Sequence, residues 1–382
     1  MTPEELHDRL ERGESVTLLD VRNREEYDAW HIDGDSVTTT LVPYSKFMTA
    51  EVQGTVEETA RKAGLDSDEL VVAVCGRGEA SDYVAELLRD LGYNAENLED
   101  GMRGWAHVYV SETVPTDADA TVYQYRRPSS GCLAYMLVSS GEAAVIDPLR
   151  QFVDRYAADA REYGADIVSV IDTHVHADHV SGVRELADAV DATPVYPAAA
   201  EARGLVADSS TKFVPDGDEI HVGDVTLTAV HTPGHTSEMT ALRIDDICFS
   251  GDGLFLDSVA RPDLEHGDEG AEDAARRLYE TFQSVYDTFD DDVRVAPAHY
   301  GEATERAVDG TYTARLGKLR DRLPALSMDE TEFVEYVLDD MPPRPANYEE
   351  IIEMNLGRSE VEDDEAFELE LGPNNCAVSQ AD

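Results

Sequence analysis

The chain has 382 residues, long enough for two ordinary domains, and carries a formal net charge of −51 from 81 acidic and 30 basic residues. That balance excludes nucleic acid as a partner, since no basic stripe offsets phosphate repulsion, and no run of about 18 apolar residues is present to cross a membrane. Only Lys46, Lys62, Lys212 and Lys318 are lysine and the acids are spread along the whole chain, so the composition reads as a halophile's, tolerable where molar salt cuts the screening length to roughly 3 Å.

Thr2-Pro3-Glu4-Glu5 supplies an N-cap, a proline at the first helical position and a capping glutamate, which predicts a helix with Leu6 and Leu10 on one face and a stop at Gly13. This N-terminus lacks the basic and apolar regions of a secretion signal, and the expectation is a soluble, cytoplasmic protein. A strand over Val16 to Val21 follows, and Leu70 to Val74 reads as a second, buried strand. Cys75 ends it and opens Cys75-Gly-Arg-Gly-Glu-Ala-Ser81, which leads into a helix with Tyr83, Val84, Leu87, Leu88 and Leu91 on its apolar side and Gly92 at its close. The recurring order of strand, loop and helix predicts the α/β class. Backbone N–H groups of a glycine-containing turn and a helix N-terminus both favour negative charge, so Cys75 is expected to be a catalytic nucleophile able to carry persulfide sulfur, with Arg77, Gly78 and Ser81 binding its substrate.

The phrases Leu18-Leu-Asp-Val-Arg22, Glu26-Tyr27, His31-Ile-Asp-Gly34 and Asp100-Gly-Met-Arg-Gly-Trp105 resemble a single rhodanese domain covering about residues 1–112. The resemblance implies a sulfurtransferase with Cys75 as the sulfur-carrying cysteine. It departs at Trp30, where that family usually has glycine, and at Ala80, which replaces a loop arginine that commonly helps bind thiosulfate. Glu79 adds a negative charge there, and Arg77 could compensate. Asp20, Arg22 and Glu26 read as structural ion-pair partners.

The polar, aperiodic stretch Ser111 to Asp119 contains Pro115 and reads as a linker over residues 113–119, ahead of a second domain over 120–325. Strands are expected around Tyr135 to Val138 and Ala143 to Ile146. The apolar run Ile167 to Ile171 then leads into Thr173-His-Val-His-Ala-Asp-His179, three imidazoles and a carboxylate in close succession. His235 follows the run Val225 to Val230, Asp252 follows Ile247 to Phe249, and His299 follows Val293 to Pro297. Ligands at strand ends can converge on one sheet edge. Imidazole and carboxylate suit zinc or iron, and with no thiolate nearby in sequence the expected site is catalytic rather than a closed structural one. Beyond His299 the chain reads as mainly helical, through Glu330 to Leu338 and Tyr348 to Met354, before an acidic stretch from Glu360 to Glu370. Residues 326–382 are expected as an extension packing on the second domain.

His174-x-His176-x-Asp178-His179, His231-Thr-Pro-Gly-His235, Ser250-Gly-Asp252 and Pro297-Ala-His299 resemble the metallo-β-lactamase superfamily, from near Thr121 to at least His299. The resemblance implies an αββα sandwich with its metal site at one edge of the two sheets. Two chemistries share these ligands. A glyoxalase II-like reading places one zinc on His174, His176 and His235 and a second on Asp178, His179 and His299, with Asp252 bridging, for thioester hydrolysis. The other places one Fe(II) per chain on His174, His235 and Asp252, with one or two Zn(II) as the alternative cofactor. Ser130-Gly-Cys-Leu-Ala-Tyr135, Val259-Ala-Arg-Pro-Asp-Leu264, Pro342-Pro-Arg-Pro-Ala-Asn-Tyr348 and Leu371-Gly-Pro-Asn-Asn-Cys-Ala377 are similar to persulfide dioxygenases and their rhodanese-fused relatives. That resemblance implies oxidation of a low-molecular-weight thiol persulfide to sulfite by O₂, with sulfite or thiosulfate exchanged at Cys75. It makes Arg261 a candidate catalytic and substrate-binding arginine whose fork suits an anionic thiol carrier, or else a brace for its own loop through Asp263. Cys132, Cys248 and Cys376 read as small buried hydrophobes, outside any C-x-x-C framework. The sequence leaves homo-oligomerisation open.

The charge makes the first prediction. The thermal unfolding midpoint rises steeply between low and molar salt, and a flat salt profile would contradict the halophilic reading.

Overall fold

The structure, a computed structural model, describes residues 1–372 apart from 302, 340 and 342. It divides into two compact units, residues 1–109 with 127–130 and 371–372, and residues 110–126 with 131–370.

In the first unit the Thr2 hydroxyl accepts the Glu5 N–H and the Glu5 carboxylate accepts the Thr2 N–H, closing the capping box of helix Pro3–Glu11. Four parallel strands lie in the spatial order Val37–Leu41, Val16–Asp20, Val71–Val74, Ala95–Asn97. Val71–Val74 is buried throughout, which is why it reads as an unbroken apolar run. It ends at Cys75, and the helix that follows is Glu79–Asp90, so Ser81 lies in its first turn rather than at its start. The chain enters that helix through Gly78 at φ 94, a left-handed conformation that L side chains rarely adopt. Asp20 and Arg22 form a buried bidentate pair, with Arg22 also donating to the Trp30 carbonyl at 2.8 Å. Among the described residues Glu26 forms no ion pair; it caps helix Arg24–Ala29 reciprocally with Asn23.

The second unit is the αββα sandwich. One sheet runs Lys212–Val214, Thr193–Pro197, Asp166–Ile171, Glu142–Ile146, Leu133–Ser139, Thr121–Arg126, Val110–Val114. The other runs Glu219–Val222, Val225–His231, Thr240–Ile244, Ile247–Gly251, Arg294–Pro297, Ala314–Arg315. Their inner faces share one core, in which Leu133, Tyr135 and Ile146 of the first meet Leu227, Leu242 and Phe249 of the second. Helices Val153–Glu162 and Val183–Val190 lie along the first sheet, and Gly267–Ser284 packs on Glu330–Leu338 through Tyr279, Phe282 and Phe333.

The linker reading needs correction at its start. Val110–Val114 is an edge strand pairing antiparallel with Thr121–Arg126, from Val110 opposite Arg126 to Val114 opposite Val122. Its Ser111 and Glu112 look like linker because an edge strand keeps one side in water. The acidic stretch also hides a helix, Asp363–Leu369, whose first turn carries Asp363, Asp364 and Glu365 where the helix dipole favours them, while Ala366 and Phe367 are buried. Pro342, Cys376 and the rest of the tail phrase beyond Gly372 lie outside the described residues. Among the described residues no helix is long and apolar enough to cross a membrane.

Strands Val225–His231, Ile247–Gly251 and Arg294–Pro297 run in the same direction, because two antiparallel pairings separate the first two and the third pairs parallel. Their C-terminal ends therefore share one edge, and His235, Asp252 and His299 follow those ends. Within His231-Thr-Pro-Gly-His235, Gly234 sits at φ 147, and a Cβ there would fall 2.5 Å from Leu278 Cβ and 2.6 Å from its Cα. The turn that presents His235 is seated directly on helix Gly267–Ser284. Gly234→Ala is expected to cost about 1–3 kcal/mol and lower the thermal unfolding midpoint; an unchanged midpoint would show that the turn is not pinned there.

Candidate metal centre

The segment after strand Asp166–Ile171 is irregular yet buried, so its polar groups must find partners inside the protein. Asp147, which follows strand Glu142–Ile146, accepts both the N–H and the hydroxyl of Thr173, at 2.7 and 3.0 Å. Glu238 accepts the Val175 N–H at 2.9 Å and is itself held by Arg203 at 2.6 Å.

These contacts also set the imidazoles. His174 Nδ1 lies 3.0 Å from the Thr173 hydroxyl and His235 Nδ1 lies 2.9 Å from the Arg261 carbonyl, so a proton on each Nδ1 leaves the Nε2 lone pair outward. Both Nε2 atoms, together with Asp252 Oδ2, are buried without a hydrogen-bond partner among the described residues. Asp252 Oδ2 is 3.7 Å from His174 Nε2 and 3.8 Å from His235 Nε2, and the three atoms lie within 4.8 Å of one another. Donors each about 2.1 Å from a shared cation stand at such separations. The donor set fits a first-row metal: two imidazole nitrogens and one carboxylate oxygen, buried and aimed at one point. Burial, reinforced by the neighbouring His176 and His235 rings, holds His174 well below the ordinary histidine range, which keeps its lone pair free.

The other expected ligands form two further groups. His299 stands between two carboxylates, with Nδ1 2.6 Å from Asp252 Oδ1 and Nε2 2.5 Å from Asp178 Oδ2. Burial opposes a charge on His299, but Asp178 and Asp252 outweigh it and push its pKa well above the usual value. Burial likewise opposes ionisation of Asp178, and His299 and His179 more than offset it. His179 Nδ1 is 3.1 Å from Asp178 Oδ2, and Cys132 joins this group, its thiol donating to Asp178 Oδ2 at 3.3 Å. His176 groups with Asp147 and Asp172, its Nε2 3.2 Å from Asp147 Oδ1 and 3.7 Å from Asp172 Oδ1.

Sequence reasoning missed Asp147, Asp172, Glu238 and the placement of Cys132. Asp147 carried the same signal as the ligands it supports, a carboxylate directly after an apolar strand. Cys132 is buried as expected, but beside a carboxylate and two imidazoles rather than among hydrocarbons. Arg261 is 1 % exposed, with its fork engaged bidentately by Asp263 at 2.8 and 3.0 Å and by the Pro343 carbonyl at 3.0 Å. Of the two roles open to it, the structure displays the brace, and its carbonyl also orients His235.

In the first unit, Cys75 is 6 % exposed, and its Sγ accepts the Gly78 N–H at 3.1 Å with the Ser81 hydroxyl 3.2 Å away. Arg77 lines a neighbouring cavity of about 260 Å³ together with Glu79, Asp100, Arg103 and His107.

Residues 128–320 match the metallo-beta-lactamase superfamily and residues 2–107 match the rhodanese-like domain. The chain is 26% identical over 252 residues to the persulfide dioxygenase ETHE1 of Homo sapiens, covering 65% of this chain and 92% of that protein. A hydroxyacylglutathione hydrolase of Polaromonas is 34% identical over 164 residues, covering 42% of this chain and 58% of that protein. Among solved structures, ETHE1 from Myxococcus xanthus matches with a TM-score of 0.53 at 26% identity, covering 62% of this chain and 98% of that one. A metallo-beta-lactamase from Staphylococcus aureus matches with a TM-score of 0.56 at 25% identity, covering 64% and 75%. With just over half its length matched and the sandwich formed as that fold requires, the chain belongs to the metallo-beta-lactamase superfamily, with a rhodanese-like domain ahead of the sandwich.

Proposed function

We propose that the protein oxidises a low-molecular-weight thiol persulfide to sulfite with O₂, at one metal ion held by His174, His235 and Asp252, and moves sulfane sulfur on Cys75. The observation that carries this reading is the convergence of three buried, partnerless ligand atoms from distant parts of the chain, two imidazole nitrogens and one carboxylate oxygen. The likeness to persulfide dioxygenases and the rhodanese-like domain support an enzyme of sulfur chemistry.

Held by His174, His235 and Asp252, Fe(II) would supply the redox chemistry that joins O₂ to the persulfide sulfur. The overall reaction balances as R–S–SH + O₂ + H₂O → R–SH + SO₃²⁻ + 2 H⁺. The protein's part is to hold the ligands and exclude water. Thr173 and the Arg261 carbonyl fix the two imidazole tautomers, and His299 grips the far oxygen of Asp252 so that Oδ2 stays turned inward. Arg261 thus acts by positioning, through its carbonyl and its fixed loop. At Cys75 the Gly78 N–H and the Ser81 hydroxyl are aimed at the sulfur, which, reacting as a thiolate, would take the outer sulfur of a persulfide, the carrier leaving as its own thiolate. Attack of sulfite on that sulfur would release thiosulfate and restore the Cys75 thiolate.

A second reading, thioester hydrolysis on two zinc ions, is favoured by the group Cys132, Asp178, His179 and His299 beside the first three ligands, and by the likeness to hydroxyacylglutathione hydrolases. Activity separates the two. Iron-loaded protein given a low-molecular-weight persulfide is expected to consume O₂ and form sulfite, whereas acyl-thioester hydrolysis by zinc-loaded protein without O₂ uptake would overturn the dioxygenase reading. Asp252→Ala should lower O₂ uptake by more than the ~10–100-fold typical of changes outside the ligand shell. Cys75→Ser should abolish sulfur transfer and spare O₂ uptake; loss of both would mean that sulfur reaches the metal only through Cys75.

A further inference from the structure

The C-terminal extension reaches into the ligand loop. Asn355 ends helix Tyr348–Asn355 and is 3 % exposed. Its carboxamide oxygen accepts the Ser181 N–H at 2.8 Å, and its amide nitrogen donates to the carbonyls of His176 and His179, both at 2.9 Å. Glu370, buried just beyond helix Asp363–Leu369, accepts the Val180 N–H at 2.8 Å. Apolar contacts back these bonds: Val180 packs with Ile351, Met354 and Ala366, while Ala177 packs with Leu264, Tyr348 and Ile352. Four backbone groups of an irregular loop that carries His176, Asp178 and His179 are therefore satisfied by two side chains of the extension.

We propose that Asn355, seconded by Glu370, is a positioning residue for the metal centre, so that the C-terminal helices set cation affinity from outside the ligand set. The inference rests on the metal-holding reading above. Residue chemistry supports it, because a carboxamide offers one acceptor and two donors in a plane, and all three are used on the loop backbone. An aspartate of the same shape keeps the acceptor but turns an oxygen toward two carbonyls. The His176 and His179 carbonyls bracket Asp178, so a shift at Asn355 moves the residues that grip His299, and His299 in turn grips Asp252. Ser181 extends the link, its hydroxyl donating to Asp172 at 2.7 Å beside His176.

The test is Co(II) binding to the full chain in molar salt, measured by competition with a chelator and by the visible d–d bands of the bound ion. Asn355→Asp and Glu370→Ala are each expected to weaken Co(II) binding by about 10–100-fold, as changes behind metal ligands do, and to shift the bands. Glu370→Gln, which keeps the acceptor for Val180, should restore both affinity and bands. Circular dichroism reports whether each variant folds, and Glu370→Ala carries the test if Asn355→Asp does not. Folded variants that bind Co(II) as tightly as the parent, with unchanged bands, would overturn the inference. A parent chain that takes up no Co(II) would instead overturn the metal-site reading, and this inference with it.

Discussion

Three lone pairs, on His174 Nε2, His235 Nε2 and Asp252 Oδ2, are removed from water and given no donor among the described residues, and the surroundings of the second unit's site hold them there. A buried polar atom left without a partner costs about 1–3 kcal/mol, and an unpaired carboxylate more, so holding such atoms together calls for rigid surroundings. The sandwich supplies the rigidity. Its strand ends bring the ligands to one edge, Gly234 lets the His235 turn lie flat on a helix backbone, and Asp147, Glu238, Asn355 and Glu370 occupy the backbone polar groups of the loop between Thr173 and Ser181.

Much of this was legible in the sequence because the ligands stand where apolar runs break off. Ile167 to Ile171 ending in Thr173-His-Val-His-Ala-Asp-His179 declares both a buried strand and a site that needs cations, and the same break recurs before Asp252 and His299. The helix with an explicit cap at Thr2 was equally readable, since the cap and its reciprocal glutamate are three residues apart. What stayed hidden depends on tertiary neighbours. Val110–Val114 looks like linker because an edge strand shows water one of its sides. Cys132 became significant only when strand pairing set it opposite His299. Asn355 sits in an ordinary helix-forming stretch, and nothing local distinguishes it from a surface asparagine.

On the proposed function the two units would divide sulfur chemistry in a complementary way. Cys75, whose sulfur meets a backbone N–H and a hydroxyl, is proposed to carry sulfane sulfur as a persulfide, and the proposed dioxygenase would consume persulfide and release sulfite, which could accept sulfur from Cys75. Each product is the other's reactant. Arg261, the arginine that looked most suited to an anionic substrate, has its fork engaged by Asp263 and the Pro343 carbonyl, while Arg77 lines a cavity with Arg103 and His107.

The central claim is that two imidazoles and one carboxylate meet on a single cation. Metal content paired with X-ray absorption at the metal edge, on anaerobically prepared protein, tests it most directly. The account predicts one iron per chain with imidazole nitrogen and carboxylate oxygen around it and no neighbouring metal. Two metals per chain, with a metal–metal scattering distance near the ~3.5–4 Å of dinuclear sites, would contradict it.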